Sequence, residues 1–292
     1  MAEPDKKSLL QGKTCLVTGG TAGIGKVTAT ALAGMGAEVI IAGRNEAKAE
    51  KVVNEIKSTS GNARVDYLLG DFSNLDQVRQ IAENFQVRWD RLDVLVNNTG
   101  AFINRRQDTI YGVEKTFLVN YLAPFLLTNL LLPTVQASAP ARIVNVTSEA
   151  EKYGQIDFND LRYTHRYFGM KAYSRSKLAN LLFSYELARR TAGSGVTVNA
   201  VHPGHIATDI WKTNFSVFGP LLKWVMSLFA LTPEEGADTL IYLASSPDVV
   251  EMSGKFFVER EAVSSSHQSY DEVLAQQLWE VSENLLVSSE MI

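Results

Sequence analysis

Two side chains four positions apart, Tyr173 and Lys177, carry the first chemical signal in the sequence. On a helix that spacing puts both on one face. A free phenol titrates near about 10 and exchanges protons poorly at neutrality. A neighbouring ammonium favours the phenolate, as would a second positive charge, and each unit of downward shift corresponds to about 1.4 kcal/mol. Tyr-x-x-x-Lys is common on exposed helices, so the pair gains meaning only from its company. Ser148 ends the run Asn145-Val146-Thr147-Ser148, where its hydroxyl either binds a reacting carbonyl oxygen or serves a turn. Asn120 lies inside an apolar helical pattern, where a buried amide needs partners. It is either satisfied by the protein or holds a water that relays protons.

A second set of residues suits a dinucleotide. Thr18-Gly19-Gly20-Thr21-Ala22-Gly23-Ile24-Gly25 follows an apolar run and opens a helical one. Glycines there admit a pyrophosphate close to the backbone, and the helix N-terminus offers free N–H groups and a positive dipole end. Gly19, Thr21, Ala22, Gly23, Ile24 and Gly25 are therefore the candidate phosphate cradle. Arg44 stands 19 positions after Gly25, where a ribose 2′-hydroxyl would usually meet an acidic residue. Its guanidinium either pairs with a 2′-phosphate, favouring NADP(H), or is a solvated surface group. Asp71 and Phe72 are placed to meet an adenine, with helix capping the alternative for Asp71. In Asn97-Asn98-Thr99-Gly100, Asn98 and Gly100 either approach the coenzyme or tie neighbouring strands. His202, His205 and His267 have no metal-ligand spacing, so no metal is expected.

These residues need a scaffold that brings strand ends together. Short apolar runs at Lys13–Thr18, Ala37–Ala42, Val65–Leu69, Leu92–Val96, Arg142–Thr147, Val196–Val201 and Lys255–Val258 alternate with helical patterns. That alternation predicts a single-domain α/β fold, a Rossmann-type doubly wound parallel sheet of about seven strands with helices on both faces. Residues 1–12 read as a polar N-terminal segment, 13–259 as a dinucleotide-binding catalytic domain and 260–292 as a C-terminal helical tail. The 292 residues, 46% hydrophobic and 21% charged, exclude a disordered chain. A net charge of −4 argues against nucleic-acid partners, and the single Cys15 fits a reducing, cytoplasmic location. The polar N-terminus has no signal-peptide core. Thr116–Pro133 and Phe215–Leu231 are each interrupted, so no transmembrane segment is expected.

The ordered set of glycine turn, Asn-Asn-x-Gly, helix asparagine, strand-end serine, Tyr-x-x-x-Lys and Pro203-Gly204 resembles the short-chain dehydrogenase/reductases from about Lys13 to Val258. The resemblance implies that Tyr173 exchanges the proton and Lys177 holds the nicotinamide ribose and tunes the tyrosine. It also implies that Ser148 orients the carbonyl, Asn120 positions a relay water, and Pro203, Gly204, Ile206 and Thr208 lie near the carboxamide. The long Ser148-to-Tyr173 gap, with Ile156-Asp157-Phe158-Asn159-Asp160-Leu161 inside it, is similar to the retinol-dehydrogenase-like branch, as is Ser253-Gly254-Lys255-Phe256-Phe257. Thr99 departs from that family's Asn-Asn-Ala-Gly, and the animal retinol dehydrogenases' N-terminal anchor is not seen. Residues 204–230, with Trp211, Phe215 and Phe218, read as an apolar lid over a small apolar carbonyl or alcohol substrate, or as a surface for peripheral membrane contact. Tyr163, His165 and Tyr167 either line the entrance or sit on the surface. The apolar helices Tyr111–Leu132 and Ala172–Arg189 are candidates for homodimer pairing, with core packing the alternative.

Overall fold

The computed structural model describes residues 8–204 and 231–289. Seven strands, β1 (Thr14–Thr18), β2 (Glu38–Gly43), β3 (Val65–Leu69), β4 (Val94–Asn97), β5 (Ala141–Val146), β6 (Val196–His202) and β7 (Lys255–Val258), run parallel in one sheet. An eighth, β8 (Glu261–Val263), pairs antiparallel with β7. The sheet order is β3-β2-β1-β4-β5-β6-β7-β8. The expected sheet of about seven parallel strands is present, and β8 adds a short edge strand with no sequence signal, because its three residues are all exposed and carry no apolar alternation. Glu259 and Arg260 both take positive φ, the geometry of a tight hairpin that turns the chain back onto β7.

Period-two alternation explains why two layers of helix are needed. Leu16, Ile40, Leu95, Ile143 and Val198 join one core cluster, while Cys15, Val17, Val39, Ile41, Val94, Val96, Val144 and Val201 join the other. The first cluster is closed by helices α3 (Leu75–Arg88), α4 (Lys115–Ala137) and α5 (Gly169–Arg190). The second is closed by α1 (Gly23–Gly34), α2 (Glu46–Ser60) and α6 (Pro233–Ser245). Asn45 and Asn74 cap α2 and α3 through backbone N–H groups, and Thr232 with Glu235 forms a capping box on α6.

The tail forms helix α7 (Glu272–Ser289), and Leu278, Trp279 and Leu286 join the first cluster. The Trp279 ring lies 4.9 Å from Phe125 of α4 and 5.7 Å from Phe183 of α5, and Tyr121 shares a 2.7 Å hydrogen bond with Ser282. Over these positions the apolar faces of α4 and α5 pack inside the chain. Helix α4 continues through Asn120 and Pro124, the residues that interrupt the apolar run Thr116–Pro133. It is long and apolar enough to cross a membrane, but 72% of its most apolar window is buried, as befits a core helix.

Candidate active site

The sheet's winding reverses between β1 and β4, and ligands of such sheets lie outside the carboxyl ends at that reversal. Two turns meet there. Asn98 Nδ2 donates to the Thr18 carbonyl at 2.8 Å, and the Asn98 and Thr99 amides donate to Thr18 Oγ1 at 2.9 and 3.0 Å. Asn98 therefore takes its strand-tying role. Gly25 is required by the same closure, for a Cβ there would stand 2.4 Å from Asn98 Nδ2.

The glycine turn has the features a nucleotide pyrophosphate needs. Gly19 and Gly23 take positive φ. Helix α1 starts at Ala22 with no side-chain cap and no acidic residue in its first turn, unlike α2 and α3, so its leading N–H groups are left to an anion. Thr99 Oγ1 is buried without a hydrogen-bond partner, 3.3 Å from where a Cβ on Gly19 would sit. These features fit a dinucleotide coenzyme. At the far end of the crevice, Arg44 Nη1 lies 3.9 Å from Asp71 Oδ2, and the arginine side chain is 77% exposed. The two candidate adenosine-end residues are thus neighbours, and among the described residues the guanidinium is held by one loose, solvated pair. Asp71 also accepts from the Ser73 amide at 2.8 Å, and Phe72 is buried. Lys26 turns away to Glu55, at 2.5 Å.

The candidate acid/base residues sit past the ends of β4 and β5. Tyr173 and Lys177 lie on α5, with Lys177 Nζ 5.4 Å from the tyrosine ring centroid and donating to the Val146 carbonyl at 3.1 Å. Thr147 Oγ1 donates to the Lys177 carbonyl at 2.8 Å, which fixes α5 against the end of β5. Ser148 caps a short 3-10 turn (Glu149–Tyr153), accepting from the Ala150 amide at 3.2 Å, and hydrogen-bonds Tyr173. A Cβ on Gly100 would stand 3.7 Å from both Lys177 Nζ and Asn120 Oδ1, so the loop after β4 faces the same group.

Burial, not the neighbouring ammonium, dominates the titration of both groups. It pushes the Tyr173 phenol up to about 12, opposed only by the Ser148 hydrogen bond. It pulls Lys177 down from 10.5 to about 8. The acidic phenol expected from the i,i+4 cation alone is thus not the state of this site. The reason is distance and desolvation: the ammonium bonds a carbonyl rather than the phenol, and both groups are out of water.

Asn120 sits on a π-helical turn (Leu118–Leu122) within α4 and is fully buried. Its Nδ2 donates to the Ala101 carbonyl and to Ser176 Oγ, each at 2.9 Å, while Oδ1 accepts from the Ala101 amide at 2.6 Å. Both amide protons are therefore spent on protein, and any relay water must use an oxygen. Ile206, Thr208, Trp211, Phe215 and Phe218, expected near the carboxamide and substrate, lie outside the described residues. Pro203 and Gly204 follow β6 at the same sheet end, and Gly204 has positive φ. Of the aromatic entrance candidates, Tyr167 turns inward, donating to the Ile103 carbonyl at 2.6 Å, and Tyr163 lies under the Arg175 guanidinium at 4.6 Å, while His165 stays exposed.

Several supporting residues gave little sequence signal. Phe102 packs edge-on to Tyr173 at 5.8 Å. Glu114 is fully buried, capping α4 by accepting from the Thr116 and Phe117 amides. Asn97 and Asn145 pair across β4 and β5 at 2.8 Å and extend to Thr128 and Ser184, fastening α4 and α5 to the sheet. Only the polarity of two asparagines in apolar strands hinted at that role. Among the described residues no group of three metal-ligating side chains converges.

A doubly wound parallel sheet whose first strand runs through a glycine turn into an uncapped helix defines an NAD(P)-type oxidoreductase fold. The chain belongs to the short chain dehydrogenase family, whose model matches residues 13–217. It is 42% identical to mouse (Mus musculus) retinol dehydrogenase 14 over 94% of this chain and 86% of that protein. It is 40% identical to Homo sapiens polyprenol dehydrogenase over 91% and 83% of the two chains. Among solved structures it resembles an uncharacterised protein from Mycobacterium Paratuberculosis (32% identity, TM-score 0.75, 94% of each chain). It also resembles an Escherichia coli short chain dehydrogenase complexed with NADPH (25% identity, TM-score 0.69, 87% of this chain and 98% of that one).

Proposed function

We propose that this oxidoreductase transfers a hydride between NADP(H) and an apolar ketone or aldehyde, or the corresponding alcohol, with Tyr173 as acid/base. The observation that carries this reading is the Ser148–Tyr173 hydrogen bond beside Lys177, all three buried or half-buried at the sheet's switch point. Bound coenzyme would supply the hydride and, when oxidised, a positive charge close to the phenol. Gly19, Ala22, Gly23 and the free N–H groups of α1 would hold its pyrophosphate, Asp71 and Phe72 its adenine, and Arg44 a 2′-phosphate.

In the reducing direction Ser148 and Tyr173 donate hydrogen bonds to the carbonyl oxygen, and the phenol proton passes to that oxygen as it gains charge. At neutral pH a phenol held near 12 is fully protonated, which suits it to be the donor. The Lys177 ammonium then faces the phenolate left behind, and Phe102 keeps water from the ring edge. The named relatives act on retinol and polyprenol, both apolar alcohols, and that supports an apolar substrate here. The apolar composition of 204–230 supports it too. We place the protein in the cytoplasm on its single cysteine, with peripheral membrane contact through 204–230 if that segment is exposed. A second copy, if one pairs along α4 and α5, does so beside the faces that α7 already covers.

A non-catalytic NADP(H) sensor would need the glycine turn but not a buried phenol aligned with a serine hydroxyl. Tyr173→Phe should cut turnover of apolar aldehydes at least about 1,000-fold while NADPH binding, read by coenzyme fluorescence, stays within about twofold. Turnover close to wild type in that variant would overturn the assignment.

A further inference from the structure

The turn that carries Ser148 is gripped from two sides. On one side it presses on the catalytic helix, for Gly154 approaches so closely that a Cβ there would stand 2.5 Å from the Ser174 carbonyl oxygen and 2.7 Å from Leu178 Cβ. On the other side stands Glu151. It is 1% exposed, and its amide donates to the Ser148 carbonyl at 3.0 Å. Its carboxylate accepts from the Ser266 amide at 2.9 Å and from Ser266 Oγ, 115 residues further along the chain. Ser266 belongs to the segment after β8, itself fixed to α5 by the 2.8 Å Tyr185–Ser265 hydroxyl contact and by stacking of Tyr185 on Tyr270 at 5.3 Å. A buried carboxylate satisfied by two donors from one residue is a rigid, short-range tether.

The geometry points to Glu151 as a positioning residue through which the segment Ser265–Tyr270 sets the Ser148 hydroxyl against Tyr173. The C-terminal segment after β8 is therefore part of the catalytic machinery's support, holding the serine turn on α5 so that the hydrogen bond to the phenol is made before substrate arrives. This inference rests on the proposed role of Ser148. Glu151 touches neither substrate nor coenzyme, so its effect must appear in kcat and vanish when the serine hydroxyl is gone.

The test uses the full chain with NADPH and nonanal. Glu151→Gln, which keeps volume and one acceptor, should lower kcat about 5- to 20-fold with NADPH affinity within about twofold of wild type. Ser266→Ala should lower it in the same direction, and the double variant should be no worse than the more impaired single one. In a Ser148→Ala background, read by single-turnover NADPH fluorescence at high enzyme concentration, Glu151→Gln should cost less than about twofold. Unchanged kcat in both Glu151→Gln, whose amide could still donate to Ser266 Oγ, and Ser266→Ala, or an equal loss with and without the Ser148 hydroxyl, would overturn the tether. Turnover that survives Tyr173→Phe, or a wild type inert to apolar aldehydes and ketones, would instead remove the functional reading beneath it.

Discussion

At Tyr173 the residue type announces acid/base chemistry, but its acidity is decided by the surroundings. Four-residue spacing to Lys177 suggests a lowered phenol pKa, whereas desolvation raises it to about 12 and brings the lysine to about 8. Since the charged lysine stabilises a phenolate and the neutral amine does not, the kcat/KM for carbonyl reduction should fall as pH rises above about 8. In Lys177→Arg, whose guanidinium does not deprotonate, that alkaline limb should be absent when rates are scaled to the variant's own maximum; persistence of the limb there would assign it to another group. Arg44 is a plainer case. Exposed and loosely paired, it has no structural duty that replacement would break. Arg44→Asp should weaken NADPH binding about 10- to 100-fold, the worth of a charge-assisted hydrogen bond or two, and leave NADH little changed. Equal losses for both coenzymes in a titration would discard the 2′-phosphate role. Asn120 was legible as a buried amide in need of partners. Which partners it has, Ala101 and Ser176, depends on a loop and a helix that sequence spacing does not place.

At the scale of elements, the strands and the glycine turn were readable because an all-apolar run must be buried on both faces, and a parallel sheet is the arrangement that does so. The helix ends were readable where Asn45 and Asn74 stand as caps. The π-helical turn at Leu118–Leu122 was not, because an extra residue in a turn leaves no mark on apolar periodicity. The partner of α7 was equally hidden: an amphipathic tail shows that it packs on something, not on what. Its anchor is Trp279, which is buried against Phe125 and Phe183 and lies under the Arg190 guanidinium at 4.1 Å. Trp279→Ala should cost about 3–5 kcal/mol in denaturant unfolding, as for other large buried aromatics. A loss below about 1 kcal/mol would mean that α7 is only loosely docked on α4 and α5.

For the molecule as a whole, placing a lysine and a tyrosine at the buried switch point makes stability depend on alkaline pH. Lys177 is held at about 8 when folded against 10.5 when exposed. Between those values the unfolded chain binds more protons, so its contribution to stability rises with pH and is lost as pH falls through the folded value. Tyr173, raised from 10.0 to about 12, acts in the opposite sense at higher pH. Denaturant midpoints of wild type should therefore climb relative to Lys177→Met from about pH 8 to about pH 10; parallel curves would mean that the lysine is not desolvated. The amino-acid sequence by itself determined the parallel sheet and the glycine turn that opens α1, and it singled out the serine, tyrosine and lysine of the proposed site, since these follow from local periodicity and from residue chemistry at strand ends. Only the tertiary structure decided how deeply the phenol is buried, that Asn120 is saturated by protein, and that Ser266 grips Glu151 beneath the serine turn. Each of those depends on groups distant along the chain meeting out of water, and no spacing rule records such a meeting.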